Sequence, residues 1–191
     1  MIRHLIGIET SGNTTSIDNQ LLKRSYWLTR ALFLRCLGFL YIVAFLISFN
    51  QNIRLIGETG LTPAKKFIDN NFSNYYEIFD PETDNTFKFL KRNSINISKD
   101  FLIKYELFNS HPTLFWFIPP SNDNLNLFAL SGMTLSFLIV ILGSANMPIL
   151  FFLWINYFSI VNVGQTWFSF GWESQLLEIG FLSIFMVPII Y

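Results

Sequence analysis

This sequence predicts an all-α membrane protein, a polytopic transmembrane helix bundle with one large extramembrane loop, and three observations predict it. From Asn124 to Trp172 there is no Asp, Glu, Lys, Arg or His. A water-soluble core would break so long a run with solvated surface. A second apolar stretch runs from Tyr26 to Phe49, and between the two lies a polar segment rich in Asn and charge. Composition agrees: 51% of the residues are hydrophobic, 22 are Phe and only 14% are charged, an apolar excess over an ordinary soluble domain. The 13 Lys+Arg balance 13 Asp+Glu, so no global field favours nucleic acid, and the expected partner is membrane lipid.

Taken in order, residues 1–25 form a polar tail carrying Arg3, Lys23 and Arg24. No short apolar core followed by a small-residue cleavage site precedes the first long hydrophobic segment, so no cleaved signal peptide is expected. The first transmembrane helix is placed at 26–49. Its uncharged core, Cys36–Phe49, is too short for a hydrocarbon layer of about 30 Å at about 1.5 Å per residue. Arg30 and Arg35 must then lay their stems along the apolar helix and place their charges among headgroups. The cluster Lys23, Arg24, Arg30 and Arg35 predicts a cytosolic amino terminus.

Residues 50–123 form the loop, with turn signals at Ile56-Gly57, Thr59-Gly60, Thr62-Pro63, Asp80-Pro81, His111-Pro112 and Pro119-Pro120. On this topology the loop is lumenal, and Asn71-Phe-Ser and Asn96-Ile-Ser are its candidate glycosylation acceptors. A third sequon, Asn13-Thr-Thr, falls on the cytosolic side and stays unused. The region 124–191 reads as a transmembrane hairpin plus an incomplete fourth apolar segment. Its two spans, about Leu125–Leu142 and Pro148–Val163, are joined by Gly143-Ser-Ala-Asn-Met-Pro148, a tight turn. Trp167, Phe168, Phe170 and Trp172 suit a membrane interface, and an apolar helix begins near Gln175. From Leu176 to the end there are fewer residues than the ~20 a comfortable span needs, so the chain reads as a fragment of a longer protein.

No catalytic, cofactor-binding or metal site is expected. His4 and His111 are isolated, Cys36 has no sequence-local base, and two histidines with one cysteine cannot make a four-ligand zinc site. The ionisable residue of most interest is Glu178, a turn or more inside the apolar helix, where a charge is costly and usually paired or functional. It is the candidate intramembrane functional carboxylate, with Glu173 nearer the interface. Arg30 and Arg35 belong near the cytosolic end of the first helix and Glu178 near the opposite end of the fourth, so no pairing is expected. Trp154, Asn156, Tyr157 and Asn162 carry polar atoms that should face other helices. Gly38, Ala44, Ser131, Gly132, Ser136, Gly143 and Gly180 are small enough to allow close helix approach.

Longer blocks carry a resemblance. Tyr26-Trp-Leu-Thr-Arg, Phe33-Leu-Arg-Cys-Leu-Gly-Phe-Leu-Tyr-Ile-Val-Ala-Phe, Asn50-Gln-Asn and Leu55-Ile-Gly-Glu-Thr-Gly-Leu-Thr-Pro-Ala are followed in order by His111-Pro-Thr-Leu-Phe-Trp, Gly143-Ser-Ala-Asn-Met and Val161-Asn-Val-Gly-Gln-Thr-Trp-Phe-Ser-Phe-Gly-Trp-Glu-Ser-Gln-Leu-Leu-Glu-Ile-Gly-Phe-Leu. Together they resemble the start of the lipase maturation factor family. The Tyr-Trp-Leu-Thr-Arg opening, Ser144-Ala-Asn-Met and Trp-Phe-Ser-Phe-Gly-Trp-Glu-Ser-Gln look more like its factor 1 branch than the paralogue. The resemblance implies a multi-pass endoplasmic reticulum membrane protein without enzymatic activity. Its implied role is chaperone-like, assisting folding and assembly of secreted dimeric lipases of the lipoprotein lipase type. Residues 77–105 look longer and more polar than the corresponding family loop, and the family's large lumenal carboxy-terminal region is absent. The competing readings are a non-functional fragment and a membrane-embedded enzyme, the latter because the family's span region is distantly similar to vitamin K-dependent carboxylase-type proteins. Glu178 would then be the enzyme's carboxylate.

Overall fold

The computed structural model describes residues 11–78 and 98–189. Among them lie six α-helices: α1 (Ser11–Leu55), α2 (Ala64–Ile78), α3 (Lys99–Ser110), α4 (Asn122–Leu142), α5 (Met147–Val163) and α6 (Gly171–Ile184), with short 3₁₀ turns at Leu114–Trp116 and Gln165–Phe168. No strand occurs among the described residues. Trp27–Leu55 of α1, 29 residues, and the 21 residues of α4 are each long and apolar enough to cross a bilayer, and α5 adds a shorter apolar helix. The chain is an all-α membrane protein.

Its surface is inverted relative to a soluble domain. Leu32, Phe39, Leu127, Phe137, Leu138, Phe152, Leu182 and Phe185 point outward from the bundle, an apolar exterior suited to acyl chains. Aromatic rings fill the interior. Tyr157 of α5 meets Tyr41 and Phe45 of α1 edge-on, with ring centroids 5.8 and 5.4 Å apart.

Helices α1 and α4 are antiparallel, and their register can be read from backbone approaches. Gly57 faces Asn122, Phe45 faces Gly132, Gly38 faces Ser136 and Val140, and Arg35 faces Gly143. Small residues therefore stand where the helices come closest. At Gly132 a Cβ would overlap the Phe45 ring. With no water to release between helices in lipid, close packing of this kind supplies much of the association energy.

Helix α1 does not stop near Phe49. It continues to Leu55 because nothing from Asn50 to Leu55 breaks a helix, and Asn52 is wholly buried rather than solvated. The chain then reverses through Gly57 and Gly60, and the Leu61, Thr62 and Ala64 amides donate to the Arg54, Leu55 and Ile56 carbonyls at 3.2, 2.8 and 2.9 Å.

The α4–α5 turn follows its residues closely. Gly143 ends α4 in the left-handed region, φ 63°, and donates to the Ile139 carbonyl; Asn146 precedes α5, and Pro148 sits in its first turn, where no backbone donor is needed. The Met147 amide donates to the Pro188 carbonyl at 3.0 Å, tying the end of the described chain to this turn. Helix α6 begins at Gly171, earlier than the apolar run alone suggests: extended Phe170 precedes it, and Gly171 and Trp172 already belong to its first turn.

The segment between α1 and α4 folds back on the bundle. Helices α2 and α3 pack together, with Ile68, Ile103 and Leu107 buried, and Ser98 caps α3 by accepting the Phe101 amide at 3.3 Å.

Candidate functional site

One end of the bundle concentrates the polar chemistry. The joint between the loop segment and α5 is built from His111-Pro-Thr-Leu-Phe-Trp. Asn162 Nδ2 donates to the Pro112 carbonyl at 2.6 Å, Thr113 Oγ1 donates to the Ser159 carbonyl at 3.1 Å, and the Leu114 amide donates to Ser159 Oγ at 3.1 Å. Trp116 Nε1 turns back onto the His111 carbonyl at 2.8 Å. Thr113 and Ser159 are wholly buried. Backbone polar groups that would be costly in an apolar setting are thus paired across the joint. Phe115 completes it by packing its ring on Phe128 of α4, centroids 4.7 Å apart. The Phe115-Trp-Phe-Ile-Pro-Pro stretch is consequently divided: Phe115 and Trp116 are buried against the bundle, and Phe117 and Ile118 stay exposed.

A second tie lies nearby. Trp167 Nε1 donates to Thr62 Oγ1 at 2.8 Å, holding the α5–α6 connection to the α1–α2 turn. Beside it Gln165 adopts a left-handed conformation, φ 50°, uncommon for a non-glycine residue. Gln165 faces Thr62, Lys66, Asn70 and Asn71 across a groove of about 460 Å³.

Between α1, α5 and α6 the interior holds polar atoms of another kind. Glu173 in the first turn of α6 is 3% exposed and Tyr157 is fully buried, and neither Glu173 Oε2 nor the Tyr157 hydroxyl has a hydrogen-bond partner. The two are electrostatic neighbours. Further along α6, Trp154 Nε1 donates to the Leu177 carbonyl at 3.0 Å, and the Tyr41 hydroxyl reaches the Leu176 carbonyl at 3.5 Å. Gly180 makes room for that hydroxyl, since a Cβ there would collide with it. Near the carboxy end of α1, Asn52 has neither amide atom paired, and by the α1–α4 register it lies opposite Leu125 and Asn126, whose Oδ1 is also unpaired.

The residues singled out in the sequence take distinct places. Glu178 is at the middle of α6, level with Trp154 in the middle of α5, so it is deeper than a position near the helix start; its side chain faces outward. The carboxylate that the fold buries is Glu173. Periodicity held the signal: Glu173, Leu176, Gly180 and Ser183 recur on one face at helical spacing, whereas Glu178 shares its face with Ser174, Gln175 and Leu182. Arg35 lies against Gly143 at the carboxy end of α4, where its cation meets the negative pole of that helix, and is not beside Glu178. Asn71 is half-buried on α2, and its Nδ2 donates to the Phe67 carbonyl at 2.8 Å. Asn96 lies outside the described residues. Of the four α5 residues expected to face other helices, Trp154 and Asn162 bond to other segments, Asn156 bonds to the Phe152 carbonyl of its own helix at 2.8 Å, and Tyr157 is enclosed by rings. His111 is exposed, edge-on to Phe67. Among the described residues no three His, Cys, Asp or Glu side chains converge as a metal site.

A family model described as "Lipase maturation factor transmembrane domain" matches residues 28–191. Lipase maturation factor 1 of Homo sapiens is 42% identical over 167 residues, 86% of this chain and 25% of that protein. Lipase maturation factor 1 of Bos taurus is 38% identical over 169 residues, and lipase maturation factor 2 of Xenopus tropicalis 29% over 167. The chain therefore spans about a quarter of the length of the curated relatives it matches. No solved structure matches. With the family's transmembrane model covering all but the first residues, and 42% identity to a curated member across most of the sequence, the chain belongs to the lipase maturation factor family.

Proposed function

We propose that this chain is the membrane-bundle part of a chaperone-like maturation factor of the endoplasmic reticulum that assists secreted lipases of the lipoprotein lipase type to reach an active, assembled state. The observation that carries the reading is the match to the family's transmembrane model over residues 28–191, together with 42% identity to a protein named for lipase maturation. The fold supports a mechanical role: the latch of Pro112, Thr113 and Leu114 onto Ser159 and Asn162 holds the α2–α3 segment to the bundle end. In the proposed orientation the amino terminus is cytosolic and residues 50–123 face the lumen, so the bundle anchors and orients lumenal chain beside a nascent lipase. Asn96 and Asn71 are then acceptors on the glycosylated side. Glu178, outward and mid-depth, is the intramembrane carboxylate available to whatever packs on α6.

The test is a chimera. Residues 28–191 replace the matching part of human lipase maturation factor 1, and the product is expressed in cells lacking their own factor. Secreted lipase activity is measured against total lipase mass. Restored specific activity is the expected result. A chimera that inserts at normal levels yet restores nothing, beside a human factor that does, would overturn the function and leave the fold standing. Glu178→Gln in the chimera addresses the enzyme alternative, which requires complete loss of activity at unchanged expression.

A further inference from the structure

The two faces of α3 differ in a way the bundle does not use. Leu102, Ile103 and Leu107 are buried inward, whereas Phe101 and Tyr105 are 48% and 49% exposed on the other side. The Phe101 and Phe108 rings lie 6.2 and 6.3 Å from Phe117, which is itself 47% exposed, and Ile118 continues the patch at 37%. The patch is one surface made from two segments.

Its depth is fixed by neighbours. Phe115 packs on Phe128, two turns inside α4, and Leu114 is bonded to Ser159, one turn inside the end of α5. The 21 residues of α4 measure roughly 31 Å at about 1.5 Å each, close to the ~30 Å of hydrocarbon, so the start of α4 stands at the headgroup boundary. A segment packed two turns inside that start is therefore level with the boundary or below it. Phe117 and Ile118 follow buried Phe115 and Trp116 and lead through Pro119 and Pro120 into α4, which sets the patch beside the start of that span. Lys104 on α3 and Lys65 on α2 stand with Asp69 and Asp100 around the neighbouring groove, charges of both signs suited to headgroup level.

We infer that Phe101, Tyr105, Phe117 and Ile118 form a lipid-docking face on which α3 lies in the membrane interface, so that the loop segment is held against the bilayer as well as against α5. An apolar helix face with aromatic residues, set at the acyl boundary, behaves this way. The inference needs α4 to span the membrane and does not depend on the lipase reading.

The full chain in a Cys36→Ser background, reconstituted into phosphatidylcholine vesicles, carries one nitroxide label at a time from Phe101→Cys, Tyr105→Cys or Ile118→Cys. Glu77→Cys supplies the water-facing reference and Leu138→Cys the lipid-facing one. Collision with dissolved oxygen and with a water-soluble nickel chelate gives the depth of each label. Depths about 5–10 Å below the phosphates are expected at all three positions. Nickel accessibility equal to that of Glu77→Cys would overturn the proposal. So would protection from both reagents, because protein rather than lipid would then cover the face. Three independent sites keep the result readable should one substitution disturb folding.

Discussion

At Gly180 the absence of a side chain has a specific beneficiary. A Cβ there would collide with the Tyr41 hydroxyl, and the next contacts are Tyr41 Cζ at 3.1 Å and the Trp154 ring at 3.2 Å. The hydroxyl itself makes only a long 3.5 Å bond to the Leu176 carbonyl. Gly180→Ala should therefore destabilise the bundle by about 1–3 kcal/mol through overpacking. Tyr41→Phe alone should cost at most about 1 kcal/mol, the loss of one weak hydrogen bond. In combination the two should restore part of the loss, since the phenylalanine lacks the hydroxyl that the new methyl meets but keeps the ring carbon at 3.1 Å. Thermal unfolding in detergent of the two single variants and the double checks this; additive losses would mean that the crowding lies elsewhere on α6. The same reasoning explains why Glu173 and not Glu178 is enclosed. Burial in a helix is set by the face a residue occupies, and Glu173 stands three residues before Leu176 and seven before Gly180. Depth along an apolar run, which draws attention to Glu178 in the sequence, carries no information about face.

Among the elements, the latch between the loop segment and α5 concentrates several polar groups on a few residues. Ser159→Ala removes the acceptor of the Leu114 amide, and Asn162→Leu removes the donor to the Pro112 carbonyl. Each leaves a backbone group unpaired at about 1–3 kcal/mol. Amide exchange at Leu114–Phe117 should quicken in both variants, while exchange in the middle of α4, which has its own helical bonds, should not change. Equal quickening throughout α4 would mean that these residues support the bundle as a whole. Part of this architecture was legible in the sequence. The charge-free run announced the hairpin, and Gly143, Asn146 and Pro148 marked its turn by their own backbone preferences. Gly38, Gly132, Ser136 and Gly180 marked the close approaches. The latch was not legible, because His111-Pro-Thr reads locally as a loop and its bonds to the bundle come from Ser159 and Asn162 of α5, nearly fifty residues away. Nor was the reach of α1 to Leu55, since Asn50, Gln51 and Asn52 look solvated until the packing that buries Asn52 is known. The start of α6 is hidden in the sequence for a related reason: Trp167 to Trp172 reads as one interfacial stretch, yet its chain turns at Phe170 and is helical from Gly171.

For the whole molecule, the orientation across the membrane has consequences at the three sequons. In the proposed topology Asn13 and the candidate acceptors Asn71 and Asn96 flank the first spanning helix, so they would lie on opposite sides of the bilayer and could not both be modified. The cationic cluster at Lys23, Arg24, Arg30 and Arg35 favours a cytosolic amino terminus, which leaves Asn13 unmodified. Within the loop the two acceptors are unequal. Asn71 is half-buried in α2 with its amide nitrogen already committed to the Phe67 carbonyl at 2.8 Å, so it is open to modification only before α2 forms. Translation into microsomes should yield a product whose glycosidase-sensitive shift is abolished mainly by Asn96→Gln, reduced slightly by Asn71→Gln and unchanged by Asn13→Gln. A shift lost only with Asn13→Gln would invert the topology and place residues 50–123 in the cytosol, where they could not meet a secreted lipase. A shift lost mainly with Asn71→Gln would show that modification precedes the folding of α2, and the bulky glycan would then hold open the groove between Asn71 and Gln165.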